Sequence, residues 1–270
     1  MQLGTIRWNV DPVLVQLGNF PLRYYSLLFG IGIALGYIIV RRLYQRAGKS
    51  IEPLDMLATY IIIGIIIGAR LGHCLFYEPT YYLQHPIEMI FPIQKIEGSY
   101  RFVAYSGLAS HGGGIGVLIA VLLYCKKYTV KVWPLLDKIA MAAPITGACI
   151  RVGNFMNSEI LGEPTGGRFG VIFERVDQLP RHPAQLYEAF AYLFIFILLS
   201  KLYRSKKQYQ SGFISGLMLT LLFTARFLIE FSKINQVQFE EGMLLNMGQY
   251  LSLPFIILGI ALMYNKRSFR

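Results

Sequence analysis

Seven stretches of this 270-residue chain are apolar over lengths close to those a helix needs to cross a bilayer: 24–40, 56–76, 105–125, 133–150, 184–200, 213–231 and 244–264. A spanning helix takes about 20 residues. Inside hydrocarbon a chain must satisfy its own backbone N–H and C=O groups, which a helix does within one segment. The composition agrees: 54% of residues are hydrophobic before the 26 glycines are counted, and 15% are charged, against about 25% charged in soluble proteins. The expectation is an all-α, polytopic membrane protein with about seven transmembrane helices. Residues 1–270 read as a single domain, with longer external loops at about 77–104 and 151–183.

The formal net charge of +11 is placed, not scattered. Arg41, Arg42, Arg46 and Lys49 follow the first run, and Lys126, Lys127 and Lys131 the third; Lys201, Arg204, Lys206 and Lys207 follow the fifth, and Lys266, Arg267 and Arg270 the last. Basic clusters after every odd-numbered run put those ends in the cytoplasm by the positive-inside rule. That gives an external N-terminus and a cytoplasmic C-terminus. Of fifteen acidic residues only Glu52, Asp55 and Asp137 fall on the cytoplasmic side. The charge therefore reads as topology and argues against nucleic acid as a partner. No basic segment with a short apolar core precedes the first run, so nothing reads as a cleaved leader. Cys74, Cys125 and Cys149 lack CxxC spacing and read as small apolar fillers. Repeats of the kind many transporters carry are absent from the pattern.

Ionisable groups inside spans are costly in lipid and mark functional sites. Here Arg70 and His73 lie late in an outward-going run, Tyr25 and His111 early in inward-going ones, and Arg151, Glu188, Arg226 and Glu230 at outer ends. All fall in the outer half of the bilayer, whereas a transport path calls for some near the midplane. Arg226 and Glu230 are four apart and suited to pair with each other. Gly64, Gly68 and Gly72 share one helical face, a pattern that lets helices approach closely. In Ser110-His111-Gly112-Gly113-Gly114 the glycines adjoin a histidine, so backbone N–H groups can approach an anion beside a proton acceptor. The stretch from Arg151 through Asn154, Asn157, Glu159 and Gly162 is dense in glycine and side-chain amides. A guanidinium at headgroup depth suits a phosphate diester.

At these residues the chain resembles the bacterial prolipoprotein diacylglyceryl transferases. The likeness runs in order through Arg23-Tyr24-Tyr25-Ser26, the His111-Gly112-Gly113 element, the Arg151 to Gly162 signature, the Arg181 to Glu188 segment and the Arg226 to Phe231 segment. The chain departs from the pattern at Ile150, where the family has Gly before the signature arginine, and at Ser26, where Gly is common.

The resemblance implies transfer of a diacylglyceryl group from phosphatidylglycerol to the lipobox cysteine thiol of a preprolipoprotein, with release of glycerol phosphate, at the outer leaflet of the bacterial inner membrane. It assigns Arg151 and Arg226 to the phosphate and His111 or Tyr25 to deprotonation of the cysteine, with Asn154, Glu159 and Gly162 shaping the pocket beside Gly112 and Gly113. No metal and no cofactor is called for. Two other classes stay open on the residues alone. One is a small-solute transporter or channel; the other is a membrane hydrolase using His111 with Ser106 or Ser110.

Overall fold

The computed structural model describes residues 4–18, 20–48, 50–91, 93–96, 99–102, 109–167, 169–205, 209–234 and 242–264. Outside the described residues lie Ser106, the basic residues Lys49, Lys206, Lys207, Lys266, Arg267 and Arg270, and the side chains of Ser110 and His111. In chain order the helices are α1 (Tyr24–Arg46), α2 (Glu52–Phe76), α3 (Pro79–Gln84), α4 (Pro86–Ile90), α5 (Ser110–Lys127), α6 (Val132–Met156), α7 (Ala184–Arg204), α8 (Phe213–Glu230) and α9 (Met247–Tyr264). Among the described residues seven short strands accompany them: β1 (Thr5–Trp8), β2 (Val13–Leu17), β3 (Phe20–Arg23), β4 (Ile93–Ile96), β5 (Ser99–Phe102), β6 (Gly170–Phe173) and β7 (Pro180–Arg181).

Among the described residues six helices, α1, α2, α6, α7, α8 and α9, are long and apolar enough to cross a membrane. The third apolar run forms α5, whose 18 residues open on Ser110, His111 and three glycines and close on two lysines, so its apolar centre is shorter than the others. Several helices outrun their apolar stretches. α1 continues through Arg41, Arg42 and Arg46, whose stems are apolar. α2 starts at Glu52 with Pro53 and Asp55 in its first turn, where proline fits and acids face the positive end of the helix dipole. The stretch 151–156, expected in a loop, continues α6.

The chain divides into two compact units, Met1–Leu43 with Trp133–Arg270, and Tyr44–Val132. In the second, α2 and α5 run antiparallel and meet on glycine. A Cβ on Gly68 would lie 2.8 Å from Gly116 Cα, and one on Gly72 would lie 2.7 Å from Gly112 Cα, so no larger residue fits either seam. Ala109 N–H donates to Ala69 O at 2.9 Å, a backbone bond between the two segments. Beyond α2, the five-residue α4 cannot satisfy its own last carbonyls. Arg70 does so, donating from Nη2 to Glu88 O at 2.6 Å and from Nε to Met89 O at 3.3 Å, with its guanidinium 4.8 Å from the Tyr82 ring centre. Arg70 is buried in this contact, not snorkelled to solvent.

In the first unit α1 meets α6 where Gly32 leaves room for Thr146. The Thr146 hydroxyl donates to Gly32 O at 2.9 Å, and a Cβ on Gly32 would lie 3.2 Å from Thr146 Cα. α8 and α9 approach at Gly216 and Gly259. Leu43, Met141, Ala148, Tyr192, Ile195, Leu199 and Ile214 form the core between α1, α6, α7 and α8. At one end of the bundle Asp137 accepts from Gly212 N–H, Ser215 N–H and Ser215 Oγ at 2.7 to 2.8 Å, an α6 carboxylate capping the start of α8. At the other end a small sheet in the order β1-β6-β7 packs Val171 and Phe173 on Phe155 of α6, with Trp8 4.5 Å from the Phe155 ring. β1 runs parallel to β6, pairing Thr5 with Gly170 and Trp8 with Phe173.

Candidate functional site

The site grows from the way α6 ends. Ser158 and Ile160 both adopt positive φ, 55° and 58°, a left-handed conformation that non-glycine residues rarely hold. Glu159 N–H donates back to Asn154 O at 3.1 Å, so the chain folds over the last turn of the helix. That reversal brings the Glu159 carboxylate over α6, where Oε1 accepts from Asn154 Nδ2 at 2.8 Å and Asn157 Nδ2 at 3.2 Å. Gln185 Nε2, buried on α7, holds the Glu159 carbonyl at 2.6 Å. On its other side Asn154 offers Oδ1 to Arg151 Nη1 at 3.3 Å. Arg151, Asn154 and Glu159 thus form a relay: the arginine reaches the glutamate through the amide, not by a direct ion pair.

Arg151 also faces α7. Its Nε lies 3.0 Å from Glu188 Oε2, and the Glu188 side chain is fully buried. Lys233, just past α8, places Nζ 3.1 Å from Glu188 Oε1 and 2.9 Å from Glu230 Oε2, with 1% of its own side chain exposed. Tyr192 OH donates to Glu188 Oε1 at 3.4 Å. Two cations and two carboxylates therefore balance in a volume from which water is excluded, where an unpaired charge is costly. Glu230 is expected from spacing to pair with Arg226; it pairs with Lys233 instead. Among the described residues Arg226, half-buried on α8, makes no ion pair or hydrogen bond and lies within electrostatic reach of Tyr192.

Tyr25, at the start of α1, packs on Gly153 of α6; a Cβ on Gly153 would lie 2.9 Å from its ring. It is within electrostatic reach of both Arg151 and Glu159. Gly162 bridges to Lys233 in a short antiparallel contact and is enclosed: an added Cβ would lie 2.6 Å from His182 Cβ and 2.8 Å from Ser232 O. Arg181 Nη1 donates to Gly162 O at 3.1 Å, while its Nη2 and Nε hold Asp177 Oδ2 at 2.6 and 3.0 Å. Those hydrogen bonds from Arg181 keep the Asp177 carboxyl below its ordinary pKa.

Of the sequence-derived residues, Tyr25, Arg151, Asn154, Glu159, Gly162 and Arg226 belong to the first unit and Arg151, Asn154 and Glu159 are directly linked there. His111, Gly112 and Gly113 belong to the second, where Gly112 is buried against Gly68 and Gly72. Lys233 and Tyr192 were not apparent from the sequence: the lysine stands just outside the sixth apolar run, where spacing offers Glu230 to Arg226 as readily as to it, and the tyrosine is hidden among apolar neighbours. Among the described residues no three His, Cys, Asp or Glu side chains converge as a metal set.

Six apolar helices, five of them in one unit with an enclosed ion-pair cluster at the helix ends, define a multi-pass membrane protein with a polar site built among its spans. The sequence pattern of the prolipoprotein diacylglyceryl transferases matches residues 12–265, and the chain belongs to that family. It is 51% identical over 259 residues to the phosphatidylglycerol–prolipoprotein diacylglyceryl transferase of Tolumonas auensis, covering 95% of each chain. It is 50% identical over 266 residues to the enzyme of that name from Bacteroides fragilis, and 39% identical over 262 residues to that from Chloroherpeton thalassium.

Proposed function

We propose that this transferase moves the diacylglyceryl group of phosphatidylglycerol onto the lipobox cysteine of preprolipoproteins, within the outer half of the bacterial inner membrane. Family membership and relatives of that name over nearly the whole length support the reading. The observation that carries it is Arg226, a half-buried cation on a membrane-length helix whose nearest sequence partner, Glu230, is already taken by Lys233. A cation among spanning helices that has no ion-pair partner among the described residues is suited to an anionic lipid headgroup.

In the proposed reaction the substrate cysteine gives up its proton to His111, or to Tyr25 as that hydroxyl passes its own proton on, and the thiolate attacks the glyceryl carbon that bears the phosphate ester. A C–S bond forms, the C–O bond to phosphate breaks, and glycerol phosphate leaves with the electron pair. The nucleophile must be a thiolate, and charge growing on the departing phosphate needs fixed cations. Arg226 and Arg151 are proposed for that role, with Asn154, Glu159 and Gly162 shaping the binding surface around them; Gly112 and Gly113 are proposed as substrate-binding residues on α5. The proposed topology, N-terminus outside and C-terminus in the cytoplasm with α5 as a seventh span, puts the Arg151 end of the bundle on the outside, where secreted chains emerge. Purified protein incubated with labelled phosphatidylglycerol and a lipobox peptide should yield a thioether-linked diacylglyceryl peptide and glycerol phosphate. No product, or label released without the peptide, overturns the reading.

A further inference from the structure

Among the described residues Lys233 is the one cation touching both buried carboxylates of the cluster, with its ammonium 3.1 Å from Glu188 and 2.9 Å from Glu230. Lysine is almost never fully buried unless paired, and here it is paired with two carboxylates. α9 contributes by omission: Gly248 leaves the space into which the Glu230 carboxylate projects, and a Cβ there would lie 2.8 Å from Oε2. Charge is thus handed along Glu230, Lys233, Glu188 and Arg151, from α8 to α6.

The last link has a particular geometry. Arg151 Nε is at ion-pair distance from Glu188 Oε2, yet that oxygen accepts no hydrogen bond among the described residues. The guanidinium N–H groups are therefore not aimed at Glu188; Nη1 is turned to Asn154. Glu188 anchors Arg151 by charge, and among the described residues the terminal fork meets neutral partners, Asn154 and Tyr192, which leave its charge for another anion. This holds only while Glu188 is partly neutralised from its other oxygen. Without Lys233, Glu188 and Glu230 together carry one more negative charge than Arg151 balances, and the cheapest response is for Arg151 to turn its fork onto Glu188. Tyr192, which donates to Glu188 Oε1 at 3.4 Å, is a neutral and weak donor and leaves that response open.

We infer that Lys233 is a positioning residue of the lipid-phosphate site: by neutralising Glu188 and Glu230 together it keeps Arg151 from closing onto Glu188 and so keeps its guanidinium available to the donor headgroup. This rests on the proposed role of Arg151 in holding the lipid phosphate.

The test uses the full-length detergent-solubilised enzyme with phosphatidylglycerol and a lipobox peptide, each varied in turn. Lys233→Met is expected to raise KM for the lipid about tenfold or more, the size of a coupling between groups in one charged network, with KM for the peptide changed less than about twofold. Lys233→Arg, which keeps the charge beside Glu188, is expected to stay within about threefold of the parent, whereas the Glu230→Gln/Lys233→Met double variant, which balances the overall charge but leaves Glu188 Oε1 without its cation, is expected to keep the raised lipid KM. Should Lys233→Met be too unstable to purify, those two variants decide. A lipid KM unchanged in Lys233→Met, or a double variant with the parental lipid KM, overturns the inference. Arg151→Ala run alongside separates the two levels: if it keeps the parental lipid KM, the phosphate role of Arg151 falls and this inference with it, whereas loss in Arg151→Ala beside a normal Lys233→Met removes this inference alone.

Discussion

Asn154 donates its side-chain amide to Glu159 Oε1 at 2.8 Å, joining the last turn of α6 to the segment that folds back over it. Its carbonyl oxygen meanwhile faces Arg151, so both ends of one small amide are used, and in one orientation only. Asn154→Asp keeps the size but sets a second carboxylate against Glu159, where like charges repel. It is expected to lower the transfer rate about a hundredfold and Asn154→Ala about tenfold, in line with losing one oriented polar contact at a reacting site. Rates of thioether formation with purified variants measure both, and equal rates for the two would remove the orientation argument.

Gly162 and Gly114 make a contrasting pair. An added methyl at Gly162 runs into His182 and Ser232, while at Gly114 it meets nothing within 4 Å. Gly162→Ala should destabilise by about 1–3 kcal/mol through overpacking, with lost activity beside Lys233, whereas Gly114→Ala should be neutral or slightly stabilising in its helix. Thermal unfolding in detergent distinguishes them.

The Asp177–Arg181 contact gives a pH signature. Hydrogen bonds from Arg181 hold the Asp177 carboxyl below its ordinary pKa of 3.8. A carboxyl lowered in the folded state contributes its stabilisation above the unfolded value and loses it as the pH falls through 3.8 toward the folded value. Asp177→Asn is expected to lower stability by about 1 kcal/mol near neutrality, an amount set by screening at a partly exposed pair, and to flatten the loss of melting temperature below about pH 4. An acid profile identical to the parent's would show that other carboxylates dominate.

At the opposite end of the bundle, Asp137→Ala removes the acceptor for two backbone N–H groups and a hydroxyl at the start of α8. The cost should be about 1–2 kcal/mol, that of a lost helix cap. Because the carboxylate belongs to α6 and the capped helix is α8, the loss should appear as earlier cooperative unfolding of the whole unit, followed by the melting of near-ultraviolet dichroism.

What the amino acids announced and what they concealed divides along physical lines. Hydrophobic length and the clustering of Lys and Arg made the spans legible, because burial in lipid acts on every residue of a run. The Gly64, Gly68 and Gly72 face was legible as packing for the same reason, and it does face α5. Residues Arg151 to Met156 were misplaced into a loop, since the apolar signal stops at Ile150 while the helix, held by backbone bonds, does not. The strands stayed hidden because each is four or five residues at most, too short for an alternating pattern to stand out. Partner choice was the least legible: Glu230 has a cation four residues before it and another three residues after it, and spacing rules favour neither strongly. Tertiary placement beside Glu188 decides for Lys233.

Gly32 and Thr146 bond to each other across 114 residues of chain. At about 5–20 residues per second of synthesis, α1 is in place for on the order of ten seconds before the residue that will grip it has been made. Throughout that interval the groove at Gly32 faces something other than its final neighbour. The earliest helix of the protein is thus stored before it is used, and its glycines must tolerate provisional company as well as the permanent kind.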